Sequence, residues 1–560
     1  AFSGTPSGSP YGAADPSVSY AGSAARRLKQ VVFAGTRTRG LVIGEGAFYG
    51  ADALSSITLP ADLVKLEKFA FGATKNLVNV EVAINREMTV DESKNAYATG
   101  AFSDKDGKYY VKNLVIGDDA PFMEVCGIFG AKNLEKITVG NNPNFATESN
   151  GEILFDKDKT TIIYYADSRK DEEYVIPETV TSIGAGVFDS KYRLKKITIG
   201  SKVATIGENA FANCTALEEV SFTKTAAGVD EVSLVIGKNA FTKCSKLVKV
   251  EIPTRTIEIG EGCFERCDAI TEITVPEGVV AIGDRAFNDC DELVVVNLPA
   301  TLEYFYETSA DEKKNPIQDL AVFTACEKLA EINIAAGNEY FVSYDGILCT
   351  AEKVDDKYVA RTVLCSPAAK AGVVTLPATI TRLGNNAFNN NVEITEIKFE
   401  EGNDEVELSF GSKVFNGCTK LTTFNLPVGM KNIPQNLFYG CEALRKVVIP
   451  YTVENIEVRA FYLGSSSNCL TSIEFMPTPE GKTAVPLTIA DGAYYSYSYS
   501  GAPSYYVHTA FAYVKATSIV LPERTVRIGA YAFAGLGITE IEIPASVTSI
   551  GQGAFSECNA

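Results

Sequence analysis

The chain has 560 residues, of which 46% are apolar and 22% are charged, so it is long enough for several compact domains or one extended array and can bury a core. Its net charge of −19 and pI near 4.8 argue against nucleic acid, heparin-like polymers and anionic membranes as partners, because those ligands bind clustered Lys and Arg. With no run of 18 or more apolar residues, the sequence predicts no membrane-spanning helix.

The first segment, residues 1–24, is rich in Gly, Ser, Ala and Pro and shows no periodicity. This composition is typical of a linker or a loosely held tail. The chain begins at Ala1 with neither an initiator Met nor a basic and apolar leader, so we interpret it as a processed or trimmed product.

From residue 28 onward the sequence is repetitive. The phrase "IGENAFANC" around Phe211 returns as "IGKNAFTKC" and "IGDRAFNDC", and the commonest step between copies is 23 residues. A period of this length predicts a stacked repeat architecture, since a catalytic motif would occur only once or twice. The Phe of each copy marks 17 units, at Phe48, Phe71, Phe102, Phe129, Phe188, Phe211, Phe241, Phe264, Phe287, Phe323, Phe388, Phe415, Phe438, Phe461, Phe511, Phe533 and Phe555.

Each unit has two parts. One is an alternating stretch such as "LEEVSF" at 217–222, which suits a short strand with one buried face; a Pro such as Pro253 or Pro276 often follows and stops the strand. The other is "VTSIGxxAFxxC", whose Gly allows a tight corner. We expect its Ala-Phe pair to pack inward in a short helical or 3-10 turn.

One unit cannot bury its own apolar side chains, whereas stacked units cover one another. We therefore predict a single β-rich (α/β) right-handed solenoid over residues 25–560. It has a parallel sheet on one face and short helical or 3-10 turns and corners on the other. Insertions interrupt it near 141–176, 337–376 and 476–515.

The repeat pattern "LxxIxIPxxVxxIGxxAFxxC" resembles the BspA-like leucine-rich-repeat family, and the resemblance covers roughly residues 28 to 558. It implies a leucine-rich-repeat fold. It also implies the role of cell-surface and secreted proteins of bacteria and some protists, which are associated with adhesion and protein binding rather than catalysis.

The first two insertions look alike. Each contains a strand, a turn and a strand, with the turn-forming pairs Asn150-Gly151 and Asp345-Gly346. We predict a β-hairpin carried on the solenoid at each of them.

The third insertion is rich in tyrosine, with seven among residues 491–513, Tyr513 included. Tyr offers a rigid amphipathic surface at low entropic cost, so binding loops favour it. The alternative is an ordinary hairpin whose alternate tyrosines pack on the solenoid flank. The candidate binding residues are Tyr494, Tyr495, Tyr497, Tyr499, Tyr505 and Tyr506.

Eight of the 13 cysteines lie three residues after a marker Phe. Stacked units would align them in a buried column, where free Cys behaves as a small hydrophobe, so we expect thiols. Cys349 and Cys365 lie on the two strands of the second hairpin and form the most plausible disulfide. The eight are Cys214, Cys244, Cys267, Cys290, Cys326, Cys418, Cys441 and Cys558.

Signals for metal or catalytic chemistry are weak. Asp104 and Asp106 give part of an EF-hand-like loop, but Lys108 and Tyr109 follow where oxygen ligands are needed, so we predict a plain turn. The lone histidine, His508, has no glycine-flanked Ser elbow nearby. We predict no cofactor, no metal and no catalytic residue.

The remaining candidate surface is the solvent face of the long sheet, which is polar, mixed in sign and without an aromatic stripe. Short polar residues also simply suit the exposed face of a strand, so this alternative stays open at each position. The candidate residues are Lys196, Thr198, Glu219, Lys249, Glu251 and Glu272.

We hypothesise a non-enzymatic extracellular or cell-surface scaffold for protein interaction or adhesion. Its partner would be a protein or a surface polymer of a host or neighbouring cell, and the chain would act as a monomer. The alternatives are a passive structural stalk or surface coat and, more distantly, a glycan-active enzyme. The array begins and stops midway through a turn, so we expect further residues in the native protein at one or both ends.

Overall fold

The computed structural model describes residues 25–35, 37, 40–85, 100–121, 133–224, 231–308, 314–316, 321–400, 407–464, 470–499, 502–511 and 514–558. The predicted tail, 1–24, lies outside them. Over the described residues the chain is a β-solenoid of about 19 turns with parallel sheets. Its helices there are two 3-10 turns, Ala25–Arg27 and Ser149–Gly151, and none could cross a lipid bilayer.

The chain divides into two compact units, the first formed by Ala1–Leu194 and Lys202–Cys214. Most described turns contribute one strand to a first set of parallel sheets and one to a second set, which we call the first and the second sheet. The first-sheet strands of this unit are Ser56–Leu59, Asn79–Val82, Asn113–Ile116, Lys136–Val139 and Glu173–Val175. The second-sheet strands are Leu41–Ile43, Leu63–Leu66, Thr161–Tyr165, Ser182–Ile183 and Thr205–Ile206, with Phe145–Glu148 and Ile153–Asp156 added antiparallel.

The second unit, Lys195–Ser201 and Thr215–Ala560, repeats the same arrangement. Its first-sheet strands are Lys196–Ile199, Glu219–Phe222, Lys249–Val250, Glu272–Thr274, Val295–Leu298, Glu331–Ile334, Gly372–Leu376, Ile394–Phe399, Thr423–Asn425, Lys446–Ile449 and Ser472–Phe475. Its second-sheet strands are Leu234–Ile236, Thr256–Ile259, Ala281–Gly283, Tyr304–Thr308, Lys357–Cys365, Arg382–Leu383, Ser409–Phe410, Asn432–Ile433, Asn455–Ile456, Leu487–Ile489, Thr525–Ile528 and Ser549–Ile550. The other strands are Lys314–Pro316, Phe341–Tyr344, Ile347–Val354, Ala493–Tyr499 and Ala502–His508, each paired antiparallel.

The sequence predicts one parallel sheet and helical turns opposite it, and this part of the prediction is wrong. The "TSI" segments form a second parallel sheet, as in Ser182↔Thr205 and Ile183↔Ile206. The Ala-Phe segments are hydrogen-bonded turns rather than helices, because left-handed residues flank the marker phenylalanine. Around Phe211, for example, Asn209 has φ 54° and Asn213 has φ 59°. Two such residues interrupt any helix, and Asn tolerates that conformation better than most.

The Gly of several "IG" pairs is required by close stacking. A Cβ on Gly260 would lie 2.5 Å from the backbone carbon of Gly237 in the preceding turn, and one on Gly551 would lie 2.3 Å from the nitrogen of Ala530. A side chain at this position would therefore push neighbouring turns apart. This differs from the tight-corner role that the sequence suggests.

The marker phenylalanines stack in columns through the core, as predicted. In the first unit Phe71 lies 4.9 Å from Phe48 and 5.0 Å from Phe102, measured between ring centroids. In the second unit Phe264 lies 5.4 Å from Phe241 and 5.6 Å from Phe287, and the rings are nearly parallel. Phe129 lies outside the described residues. Because each ring covers the next, one turn buries its apolar face only against its neighbours.

The first two insertions form antiparallel hairpin units in place of the second half of a turn. The last strand of each joins the second sheet in parallel, as shown by the pairs Thr161↔Ser182 and Thr362↔Arg382. The predicted turns at Asn150-Gly151 and Asp345-Gly346 are confirmed, although each unit has three strands rather than two. These two turns carry no marker phenylalanine, which explains why 17 markers undercount the turns.

A buried asparagine anchors each hairpin unit to the preceding turn. Asn338 is 3% exposed and its Nδ2 donates to the carbonyl oxygens of Pro299 and Leu302, at 3.1 and 2.9 Å. Its Oδ1 accepts two backbone N–H groups at the start of the first strand, at 2.8 and 2.7 Å. Asn142, which is fully buried, makes the corresponding contacts in the first hairpin unit.

Candidate interaction surfaces

The predicted residues on the first-sheet face lie side by side across neighbouring strands. Parallel register aligns Lys196 with Glu219 and Glu219 with Lys249. The Oε1 of Glu219 lies 3.2 Å from the Nζ of Lys196 and 3.8 Å from that of Lys249. Lys249 also lies 3.6 Å from Glu251, and Thr198 shares a hydrogen bond of 3.1 Å with Ser221.

In these contacts the charged groups of the sheet pair with one another. Glu219, the central carboxylate, keeps 28% of its side chain exposed, whereas Glu251 at the edge keeps 79%. Exposed ion pairs contribute at most about 1 kcal/mol to stability, but their mutual compensation leaves little net charge for a partner to meet. The face is therefore polar and largely satisfied.

Glu272 lies in a different group of strands, where polar side chains form a ladder. Its Oε1 accepts a hydrogen bond from the Nδ2 of Asn297 at 3.1 Å, and the Oδ1 of Asn297 accepts one from Asn333 at 3.1 Å. The sequence groups Glu272 with the lysines of the same face, but the structure pairs it with amides instead.

The tyrosine-rich insertion forms a two-stranded antiparallel ribbon, Ala493–Tyr499 with Ala502–His508, which we call the tyrosine hairpin. Its register pairs Tyr495 with Tyr506, Tyr497 with Ser504, and Ala493 with His508. At the far end of the ribbon, Tyr499 pairs with Ala502. The side chains of residues 493–507, including those of Tyr494 and Tyr505, and all of Tyr513 lie outside the described part of the chain.

The root of the tyrosine hairpin meets the turn that contains Phe461. The Nη2 of Arg459 lies 2.8 Å from the Nε2 of His508, and the backbone N–H of Arg459 donates to the carbonyl oxygen of Thr509 at 2.8 Å. Burial, followed by the charge of Arg459, lowers the pKa of His508 from its usual 6.5. Nε2 is the nitrogen that a hydrolase would use to take a proton from serine, and here it accepts from a guanidinium.

Two aromatic residues that the sequence does not single out extend this region. Tyr462 lies beneath the guanidinium carbon of Arg459, which is 5.2 Å from its ring centroid, and the Tyr439 ring lies 5.5 Å from that of Tyr462. Tyr439 is 45% exposed. Each follows a marker phenylalanine directly, so the 23-residue step from Tyr439 to Tyr462 is the signal that could have identified them. We call Tyr439, Tyr462 and the tyrosine hairpin the aromatic surface.

The partial calcium motif is a plain turn, as predicted. The Oδ1 of Asp104 accepts the backbone N–H groups of Asp106 and Lys108, at 3.0 and 2.8 Å, and its Oδ2 accepts the Tyr110 hydroxyl at 3.0 Å. Donors within the loop thus occupy the oxygens that a cation would need. Among the described residues, no group of three or more His, Cys, Asp or Glu side chains is placed to hold a metal ion.

Cys349 and Cys365, the pair that the sequence marks as the most plausible disulfide, are not bonded to each other. The register places Cys349 opposite Val363 and Cys365 opposite Leu348, and both residues are free thiols. The two cysteines are offset because the ribbon contains register shifts next to Cys349. The column cysteines are also thiols, as expected. The marker phenylalanine in the turn before accepts, at its carbonyl oxygen, a hydrogen bond from the Sγ of Cys214, Cys267, Cys290, Cys326, Cys418, Cys441 and Cys558.

A family model described as BspA type leucine rich repeat region matches the chain in six copies, over residues 26–97, 159–234, 231–344, 369–480 and 507–560. No curated protein matches it. Similar solved structures include a leucine rich cell surface protein from Faecalibacterium prausnitzii, with 24% identity, coverage of 60% of this chain and 96% of that chain, and a TM-score of 0.41. A leucine-rich repeat protein from Bacteroides ovatus shows 24% identity, coverage of 74% and 90%, and a TM-score of 0.46. The pneumococcal vaccine antigen PcpA shows 18% identity, coverage of 62% and 93%, and a TM-score of 0.46.

Proposed function

The chain belongs to the BspA-type leucine-rich-repeat family, and from that premise we propose that it is a non-enzymatic interaction scaffold that binds a protein or a surface polymer through its aromatic surface. The scaffold would be secreted or attached to a cell surface, where proteins of this family act, and would work as a monomer. The observation that carries the proposal is the continuous contact from Tyr439 through Tyr462 and Arg459 to the root of the tyrosine hairpin.

The packing inside the solenoid supports the proposal that the protein binds partners only through its surface residues. Its phenylalanine columns and cysteine contacts use these side chains for packing between turns. On the outside, the lysines and glutamates of the first sheet neutralise one another, as at Lys196 and Glu219. Among the described surfaces, the aromatic surface is thus the one best suited to gain free energy from contact with a partner.

Tyrosine and arginine are the residue types that most often dominate binding energy at protein interfaces. Tyr439 offers an exposed ring, and Arg459 is held over Tyr462, so both bind without a large loss of side-chain entropy. The hairpin supplies further tyrosines, among them the register pair Tyr495 and Tyr506. A surface of this kind suits a protein partner, whose backbone and side chains can use both the rings and the hydroxyl groups.

A passive stalk or surface coat is the second candidate, and the satisfied first-sheet face favours it. Ladders such as Glu272–Asn297–Asn333 stabilise contacts between turns without presenting unused groups. A stalk needs only this internal cohesion. The two candidates therefore differ in whether the aromatic surface has a partner.

The test is capture of extracellular proteins and surface polymers on the immobilised chain, compared with the triple variant Tyr497→Ala, Tyr499→Ala and Tyr506→Ala. The matched controls are Tyr192→Ala, which removes a tyrosine that is 57% exposed elsewhere, and charge reversal at Lys196 and Lys249. The proposal predicts that the triple variant loses a partner that both controls retain. Equal capture by all variants would favour the stalk, and release of product from a glycan panel would favour an enzyme.

A further inference from the structure

His508 is the chain's single histidine and the last residue of the tyrosine hairpin. Its Nε2 lies 2.8 Å from the Nη2 of Arg459. A guanidinium has only donors, so Nε2 must accept this hydrogen bond and the imidazole must be neutral. The contact therefore exists in one protonation state of His508 only.

The other charged groups at the root are already engaged. Asp491, just before the first hairpin strand, pairs with Arg527 at 2.7 Å and accepts the backbone N–H of Ala530 at 2.7 Å. Glu457, in the turn of Arg459, accepts the N–H of Gln435 at 3.0 Å. In the described part of the chain, the rings of Tyr462 and Tyr531 also lie at the root. Among the described side chains, Arg459 is the charged group that lies against His508.

We propose that this contact is a pH-sensitive latch, in which neutral His508 fixes the root of the tyrosine hairpin to Arg459 and protonated His508 releases it. Protonation turns Nε2 into a donor and sets two cations against each other. Asp491 holds the other strand of the hairpin, and the backbone N–H of Arg459 holds the carbonyl oxygen of Thr509 in either state, so the latch loosens the hairpin at His508 without unfolding the solenoid. Imidazole switches of this kind act through a local change of charge on a two-state element.

The lowered pKa of His508 agrees with this arrangement, since both burial and Arg459 disfavour the charged ring. For a base whose pKa is lower in the folded state, the contribution to stability is fully present above the unfolded value of about 6.5 and is lost as the pH falls through 6.5 and below. The hairpin is thus fixed at neutral pH and loosened in acid. An effect of acid on partner binding would rest on the proposed function, but the latch itself does not require a partner.

The latch is tested on the full chain alone. With 13C at Cε1 of histidine, the protein gives one imidazole signal, whose titration we expect below pH 6.5, and the Arg459→Gln variant should move it up toward 6.5. Amide exchange, corrected for intrinsic rates, should show that protection of the hairpin strands falls by up to about tenfold per pH unit between pH 6.5 and the lower pKa of the latched imidazole, and then levels off. The strand Lys446–Ile449 serves as the internal reference and should not change.

The matched variant is His508→Gln, which keeps an acceptor near the position of Nε2 and cannot be protonated in this range. Its hairpin protection should be independent of pH between 7.5 and 5, a range of about 2.5 units around the imidazole pKa. The proposal is overturned if the wild-type imidazole titrates at or above 6.5, if Arg459→Gln leaves that titration unchanged, or if His508→Gln keeps the same pH dependence as the wild type. None of these readouts involves a partner, so failure of the latch is distinct from failure of the binding proposal.

Discussion

The Sγ of Cys267 donates a hydrogen bond to the carbonyl oxygen of Phe241, 3.2 Å away in the preceding turn. The same contact joins Cys290 to Phe264 at 3.2 Å and Cys326 to Phe287 at 3.0 Å. The recurring cysteine therefore has two structural roles, filling the core as a small apolar group and satisfying a buried carbonyl oxygen. Neither role requires a reactive thiolate.

The column thiols should resist alkylation in the native protein. Burial raises the pKa of Cys418 to about 12, so almost no thiolate exists at pH 8. We expect iodoacetamide to modify Cys418 only after unfolding in guanidinium chloride, and to modify the partly exposed Cys558 earlier. Peptide mass spectrometry measures the modification of both cysteines. Rapid modification of Cys418 in the native chain would contradict its burial in the column.

Removal of one ring from the phenylalanine column should destabilise the second unit. Phe264 is fully buried between two parallel rings, so Phe264→Ala loses burial and leaves a cavity, at a cost of about 3–5 kcal/mol. Phe264→Leu should cost roughly half as much, since it refills part of the volume. Urea unfolding measures the change in the free energy of unfolding. The control, Tyr192→Ala on the surface, should stay within about 0.5 kcal/mol of the wild type.

Substitution of an anchoring asparagine should reduce the stability of the protein more than the size of the side chain suggests. Asn338→Ala would leave the carbonyl oxygen of Leu302 and two N–H groups without partners and would remove one of two donors to Pro299, at a cost of about 2–4 kcal/mol. Asn338→Asp keeps the acceptor but loses the donor and buries a charge, so it should not restore stability. Thermal unfolding and amide exchange in Ile347–Val354 measure the stability of both variants. Unchanged exchange of this strand in Asn338→Ala would show that Asn338 does not anchor the hairpin unit.

A partly buried carboxylate, that of Asp284, predicts a stabilising substitution. Asp284 has one oxygen, Oδ1, that is buried without a hydrogen-bond partner, and burial raises its pKa above 3.8, although Arg285 lowers it. For an acid whose pKa is higher when folded, stability falls as the pH rises from the unfolded pKa through the folded one. Asp284→Asn should therefore raise the melting temperature at pH 7, with an advantage that shrinks toward acid. A lower melting temperature at pH 7 would refute this.

Much of the fold is predictable from the sequence because the repeat places equivalent residues in register. The step of 23 residues aligns Phe241 with Phe264 and, in the same way, Lys196 with Glu219, so both the core column and the ion pairs follow from spacing alone. The turn pair Asp345-Gly346 likewise locates a hairpin through its backbone preference.

The other parts of the fold and of the candidate site could not be predicted, because they depend on strands too short to show periodicity or on contacts between residues far apart in the sequence. Second-sheet strands such as Ser182–Ile183 have two residues, which cannot display alternation. The left-handed conformation of Asn209 excludes a helix at this position, but the residue types around Asn209 do not predict that conformation. Arg459 and His508 are 49 residues apart and meet only because the third insertion lies between successive turns, so no repeat spacing predicts the contact.

The most direct test of the account is the dissociation constant of a partner captured by the wild type and lost by the tyrosine-hairpin variant. It should be measured for Tyr439→Ala and Tyr462→Ala beside Tyr192→Ala. We predict a loss of about tenfold or more for the first two, as expected of tyrosines that carry binding energy, and less than about twofold for the third. Equal affinity of all three variants would show that the partner does not contact Tyr439 and Tyr462, and would contradict the proposal of one binding surface that runs from these residues to the tyrosine hairpin.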